Sequence, residues 1–398
     1  MNSVTIATDA YLKLIPSAQE AAAVAYTRGG HLIIVVGAIA TILASALIIR
    51  VGLPERALGS RSEGRQSFSA VFRCCLLTLL AYTVLLLPWT AFVDWYRERS
   101  YGFTHQSLPG WLTEHMLQAA ISSLVGAALL TGFYLMARRS GRRWWIWGSA
   151  IAGLGLLLAL VAIPIVMNPI LHEYSSAPDG KIKKAVDDLL AEGGVRGDRV
   201  FVYDGSRQSE RYTASVTGFG SAATVALSDT MFARGADAAQ VRAVVAHEIG
   251  HQRHYHLVLL AFVMTAIVTL GLLVADKAFP FASRILGAGS GVNVSDAAGL
   301  PVLLAIFACY MLVTTPAVNT AERLVEADAD HYGLDLAKEP DGAARAVLAS
   351  ADYRASSPGP LEEELFYDHP SNARRIRTAM RWKVDHTADR RNRPPTTP

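Results

Sequence analysis

Residues 241–275 read VRAVVAHEIGHQRHYHLVLLAFVMTAIVTLGLLVA. The first half is polar overall, with Val241, Val244, Val245 and Ile249 at the spacing of an amphipathic helix. The second half, 257–275, carries no charged side chain and has the length of a membrane span, for which about 20 apolar residues suffice. A water-facing helix therefore leads straight into a bilayer, and any chemistry it carries sits at a membrane face. Residues four apart on a helix share a face. His247 and His251 can thus hold one metal ion, with Glu248 beside them.

The rest of the chain agrees with a membrane setting. Of its 398 residues 52% are hydrophobic and 18% charged, against about a quarter charged in soluble domains. Six segments can span a bilayer: 32–49, 74–93, 116–137, 144–171, 257–275 and 297–318. Pro301 and Pro316 interrupt the last one, which membrane helices tolerate. Trp144, Trp145 and Trp147 read as an interfacial aromatic belt. The net charge of +3 points to no nucleic-acid partner. Cys74, Cys75 and Cys309 lie in apolar runs without metal-ligand spacing and read as small hydrophobic filler.

The expected fold is mainly α: a polytopic membrane protein of six helices with a small α+β domain at the membrane face. Residues 1–171 form an N-terminal membrane region of four helices, and 257–318 a further membrane pair. The polar domain is split between 172–256 and 319–384. Residues 385–398, rich in Arg and Pro, read as a disordered tail. Within the polar domain, Lys181–Glu192 is an amphipathic helix. Val200–Tyr203 and Thr224–Leu227, with Gly218, Phe219 and Gly220 between them, form a hairpin or small sheet. A helix over Asp237–Gln252 carries the chemistry, and another polar helix runs from Ala321 to Leu336.

The HExxH pattern implies one Zn2+ with Glu248 as general base. Catalytic zinc takes three protein ligands and keeps one open position. Glu326, within Glu326-Ala327-Asp328-Ala329-Asp330, is the candidate third ligand. Asp330 shares its helix face and can fix the tautomer of a ligand histidine. Asp328 points elsewhere, into solvent, His254 and His256 read as interfacial histidines, and His331 faces away from Glu326. The substrate class is a peptide or protein beside a lipid bilayer.

Orientation rests on positive charge in short loops. One face holds eleven such residues (Arg50, Arg56, Arg61, Arg65, Arg73, Arg138, Arg139, Arg142, Arg143, Lys277 and Arg284) and the other four (Lys13, Arg28, Arg97 and Arg99). Counted this way, the metal site lies outside the cytoplasm. Seven juxtamembrane charges in the long polar stretches bring the two faces level.

The chain also resembles the type I CAAX prenyl endopeptidases, membrane zinc metalloproteases that cleave behind prenylated cysteines. The resemblance runs from about residue 70 to 380. It rests on Tyr101-Gly102-Phe103 with Gln106-Ser107-Leu108, on Asn168-Pro169-Ile170 with Pro178-Asp179-Gly180, and on Asp204-Gly205-Ser206 with Gly218-Phe219-Gly220. Asn319, Arg323, Glu326 and Asp330 match the family's Asn-x-x-x-Arg-x-x-Glu-x-x-x-Asp pattern, and His369-Pro370 with Arg375-Ile376 match its C-terminal elements. The resemblance implies that His369 and Arg375 line the active site and face the substrate or the developing oxyanion. It implies supporting roles for Asn319 and Arg323, and a substrate strand added beside Thr213–Thr217, with Thr213 and Ala214 in contact. It also implies a lipidated substrate and a cytoplasmic catalytic face, in the inner membrane if the source is bacterial. The chain departs from the family with Thr213 where Asn is usual, Glu322 where Ser is usual, and six spans where eukaryotic members have seven.

Two other readings compete. One is a membrane-protein quality-control metalloprotease without prenyl specificity. The other is a non-catalytic membrane scaffold keeping a structural zinc; loss of the general base would mark it, and Glu248 is present.

Overall fold

The computed structural model describes residues 3–59, 67–162, 170, 172–194, 200–211, 213–217, 224–233, 235–289 and 291–392. The principal helices are α1 (Ser3–Leu12), α2 (Ser17–Arg50), α3 (Phe68–Thr90), α4 (Leu108–Ser140), α5 (Trp144–Ala162), α6 (Lys181–Glu192), α7 (Ala238–Arg253), α8 (His256–Leu286), α9 (Leu300–Ala337), α10 (Pro340–Ala349), α11 (Pro360–Phe366) and α12 (Asn372–Asn392). Five helical runs are long and apolar enough to cross a membrane: Ser17–Arg50, Phe68–Ser100, Leu108–Ala159, His256–Leu286 and Ala297–Ala337. Leu108–Ala159 comprises α4 and α5, which fold back on each other at the 3-10 turn Gly141–Arg143. Each of the six expected spans thus falls on a helix, except that 163–169 and 171 lie outside the described residues.

These helices leave Leu43, Val84, Phe262 and Val313 exposed, as a lipid-facing surface requires. Inside, Cys74 and Cys75 are fully buried among Phe133, Tyr134, Leu272 and Leu300, filling the core as small apolar groups. Trp144 departs from the expected belt. It is buried, and its indole donates to Asp276 at 3.0 Å, tying α5 to α8, whereas Trp147 is exposed.

The polar domain holds a four-stranded sheet: β1 (Tyr174–Ser176), β2 (Val200–Tyr203), β3 (Ala214–Thr217) and β4 (Thr224–Ser228), in the order β1-β2-β4-β3. Both predicted strands are present, but they do not form a hairpin. β2 and β4 run parallel, which demands a crossover, and β3 lies in that crossover and pairs antiparallel with β4. Gly218, Phe219 and Gly220 lie outside the described residues. β3 is an edge of the sheet. The sheet packs on α6 and α7 through Val186, Leu189, Leu227, Val241, Val245 and Ile249.

α7 begins with a capping box: Asp237 accepts from the Gln240 amide and Gln240 from the Asp237 amide, a device worth about 1 kcal/mol. The polar helix expected from Ala321 is not separate. It continues the last membrane helix as α9, 38 residues without a break, because nothing after Pro316 interrupts the backbone bonds. α12 also runs further than expected, to Asn392, into the stretch read as a disordered tail. Trp382 and Lys383 secure it, donating to Asp335 at 2.7 Å and to Asp341 at 2.6 Å, so packing overrides the polar composition. Residues 393–398 lie outside the described residues.

The chain's first helices brace its last segment. Tyr11 donates to Asp341 at 2.6 Å, and Gln19 to Asp352. The backbone amides of Ala355 and Ser356 donate to Thr27 and Glu20, both at 2.9 Å.

The site depends on the crossing of α7 and α9. A Cβ on Gly333 would lie 3.0 Å from the His247 backbone nitrogen and 3.1 Å from its Cα. A Cβ on Gly250 would lie 3.1 Å from the Cα of Ala329. Two glycines thus let the backbones meet. Gly333→Ala is expected to destabilise the protein by about 1–3 kcal/mol. Thermal unfolding in detergent checks this, and a Tm equal to that of wild type would refute it.

Candidate active site

The crossing places five of the seven predicted residues of α7 and α9 together: His247, Glu248, His251, Glu326 and Asp330. Nε2 of His247 and Nε2 of His251 stand 3.1 Å apart. Glu326 offers Oε2 to His247 Nε2 at 3.3 Å and Oε1 to His251 Nε2 at 3.4 Å. Tetrahedral zinc with bonds of about 2.0–2.1 Å would hold its ligand atoms about 3.3 Å apart, so the spacing fits. Glu326 Oε2 is also buried without a well-formed hydrogen bond, an arrangement that costs free energy unless a cation satisfies it. His247, His251 and Glu326 are therefore a suitable first set of ligands for one divalent ion.

The electrostatics agree. Burial alone would lower the pKa of His247, but the Asp330 and Glu326 carboxylates outweigh it and raise it to about 10. A pocket that stabilises one positive charge at this spot suits a cation. Glu248 lines the same cleft, of about 270 Å³. Burial pushes its carboxyl above the usual range, against the pull of His247 and His251. A base with a raised pKa abstracts protons more readily.

Asp330 lies beside His247, with Oδ1 at an ion-pair distance of 2.9 Å from Nδ1. Arg375 does not stand free in the cleft. Its Nε and Nη2 donate to Asp330 at 2.8 and 2.6 Å, a bidentate pair that keeps the carboxylate aimed at His247. Coulombic attraction to Asp330 raises the Arg375 pKa against its burial. His369 does reach the cluster: Nε2 lies 3.3 Å from Glu326 Oε2, and Nδ1 3.0 Å from Asp368. Burial would raise the Asp368 carboxyl, but His369 and Arg354 hold it down at about 2, so it stays ionised and orients the ring.

Asn319 and Arg323 do not contact these groups. Asn319 donates to the Leu365 carbonyl at 2.9 Å, and Arg323 to the carbonyls of Glu363 and Tyr367. Both residues fasten α11 and the turn after it onto α9, and so present His369. Thr213 and Ala214 line the cleft beside the edge strand β3, and the Thr213 hydroxyl meets Tyr203 at 2.7 Å.

Sequence reasoning passed over one cluster. Asp328 is half-exposed, yet its Oδ2 is bonded to His254 Nδ1 and, at 3.0 Å, to His256 Nε2. His256 in turn lies 3.1 Å from His251, Nδ1 to Nδ1. Asp328 and His254 are exposed, as the sequence suggests, whereas His256 is buried. The available signal was the His-x-His pair three residues beyond the metal motif. The cleft also takes Tyr353 and Arg354, from a loop with no recognisable motif.

Residues 176–383 match peptidase family M48, and residues 13–173 match a family described as CAAX prenyl protease N-terminal, five membrane helices. The chain is 24% identical to the uncharacterized metalloprotease YhfN of Bacillus subtilis, over 79% of this chain and 73% of the relative. It is 27% identical to CAAX prenyl protease 1 of Saccharomyces cerevisiae, over 46% of this chain and 41% of the relative. Its fold is similar to the crystal structure of S. mikatae Ste24p, with a TM-score of 0.72 and 19% identity over 92% of this chain and 89% of that one.

A cation entering this site must displace the proton that the Asp330 and Glu326 carboxylates favour on His247 against its burial, so lower pH opposes metal binding. Apparent zinc affinity is expected to rise about tenfold per pH unit from 7 toward 9. Competition with a chromophoric chelator measures it, and a pH-independent affinity would contradict the assignment.

Proposed function

We propose that this chain, a membrane metalloprotease belonging to peptidase family M48, is a one-zinc endopeptidase. In this reading His247, His251 and Glu326 hold the metal, and Glu248 is the general base. The observation that carries it is the convergence of three ligand atoms on one point beside a buried, basic carboxylate. When bound, zinc supplies a Lewis acid that polarises the scissile carbonyl and acidifies a water.

This chain's residues do the rest. A peptide adds to the open edge of β3, with Thr213 and Ala214 contacting its backbone. Glu248 takes the proton of the attacking water and delivers it to the leaving amine. His369, oriented by Asp368, faces the oxygen on which negative charge develops. Arg375 acts one step back: it aims Asp330, and Asp330 sets the ring of His247. Several relatives are CAAX prenyl proteases by name, and the N-terminal match supports a substrate of that kind, a protein with a lipidated C-terminal segment. The catalytic face is cytoplasmic in this reading, and the Arg138–Asp296 pair belongs to the opposite face.

Purified protein should cleave peptides, lose activity to a chelator and regain it with zinc. Glu248→Ala should lower kcat by about 10²–10⁴-fold with zinc retained, and His369→Ala by about 10²–10³-fold. Equal cleavage by Glu248→Ala would refute the mechanism. Farnesylated peptides should be cut faster than unmodified ones, and equal rates would favour the quality-control reading. A cysteine placed in the 138–143 loop, with the three native cysteines removed, should react with an impermeant thiol reagent added outside intact cells. Protection there would place the catalytic face outside.

A further inference from the structure

α7 ends at Arg253 and α8 begins at His256, with Tyr255 between them in the left-handed region (φ 53, ψ 34). A residue with a Cβ adopts this conformation at a cost of about 1–2 kcal/mol. The turn has a geometric result. Five residues along an unbroken helix rotate a side chain by about 140°, so His256 would face away from His251. The left-handed residue instead brings it back, burying it with Nδ1 3.1 Å from His251 Nδ1. On its far side, Nε2 lies 3.0 Å from Asp328 Oδ2, which also takes the Nδ1 of His254.

Protons can be distributed over these contacts in one way if His251 binds a metal through Nε2. His251 then carries its proton on Nδ1 and donates it to His256 Nδ1. His256 must carry its own proton on Nε2, where the Asp328 carboxylate accepts it. We propose that His256 is a positioning residue for the metal ligand His251, held in the required tautomer and rotation by Asp328. This rests on the metal-site reading above. The two ligand histidines are then supported differently: His247 directly by the buried Asp330–Arg375 pair, and His251 through a second imidazole by a half-exposed carboxylate. His254 touches Asp328 but not His251, so it contributes little to the ligand's alignment.

The test measures zinc binding by chelator competition in the full-length, detergent-purified protein. His256→Ala should weaken zinc affinity by about 10–100-fold, the usual loss when a ligand's outer partner is removed. Asp328→Asn should weaken it by less, and His254→Ala should leave it near wild type. Cobalt substituted for zinc should show an altered visible spectrum in His256→Ala. The Tm of each metal-free variant separates misfolding from ligand misalignment. A variant whose fold fails is replaced by His256→Asn, which keeps a polar group at the position and should recover part of the affinity. Unchanged affinity and spectrum in a folded His256→Ala protein would overturn the proposal. Two zinc ions per wild-type chain, the second lost in His254→Ala, would also overturn it by making the cluster a metal site of its own. Failure of wild type to bind zinc above a His247→Ala background would instead overturn the metal-site reading itself, and this proposal with it.

Discussion

Everything in the candidate site depends on how closely two helix backbones approach. His247 and His251 belong to α7, and Glu326 and Asp330 to α9, so no short-range preference brings them together. Gly250 and Gly333 remove the side chains that would hold the helices apart, and each lies three residues from a group that reaches into the site. Typical interhelical distances are about 8–10 Å, and the shorter end needs small residues at the contact. A wider crossing would pull the carboxylates out of reach of the imidazoles. α9 adds stiffness, because it enters from the membrane and continues as one rod into the polar domain. The membrane bundle and the candidate site are thus mechanically one object.

Around this crossing the charges are arranged in layers. Glu326 and the two histidines form the innermost layer, and Asp330, Asp368 and His256 stand behind them. Arg375 closes the outer shell on one side. Each buried carboxylate faces a group that can carry positive charge, which is the condition under which buried charges are tolerated. The pattern also explains why Arg375, attractive from sequence as an oxyanion partner, is engaged elsewhere: an unpaired Asp330 would be costly at that depth.

Much of this was legible in the sequence. Hydropathy located the membrane helices, and the spacing of His247, Glu248 and His251 with Glu326 and Asp330 identified the groups that converge. What stayed hidden depended on long-range geometry. The sheet order was hidden because a parallel β2–β4 pair follows from a crossover, not from local strand propensity. Asn319 and Arg323 carry a recognisable pattern, yet they bind carbonyls 40 to 46 positions away. The contact of His256 with His251 was hidden because it depends on one left-handed residue, Tyr255, between the two helices. Trp144 was misread because aromatic residues at a span's edge can equally turn inward when a buried acceptor such as Asp276 is available.

The contacts between the first helices and the last segment have a consequence for the time before the chain is finished. Asp352, Ala355 and Ser356, next to the loop that gives Tyr353 and Arg354 to the cleft, are held by Gln19, Thr27 and Glu20. The residues that complete the cleft follow their partners by 328 to 336 positions, so these partners are made long before them. A nascent chain can therefore insert its membrane helices and even assemble the histidine–glutamate cluster while the cleft is still open on one side. The lining of the cleft is complete only when these two distant segments meet.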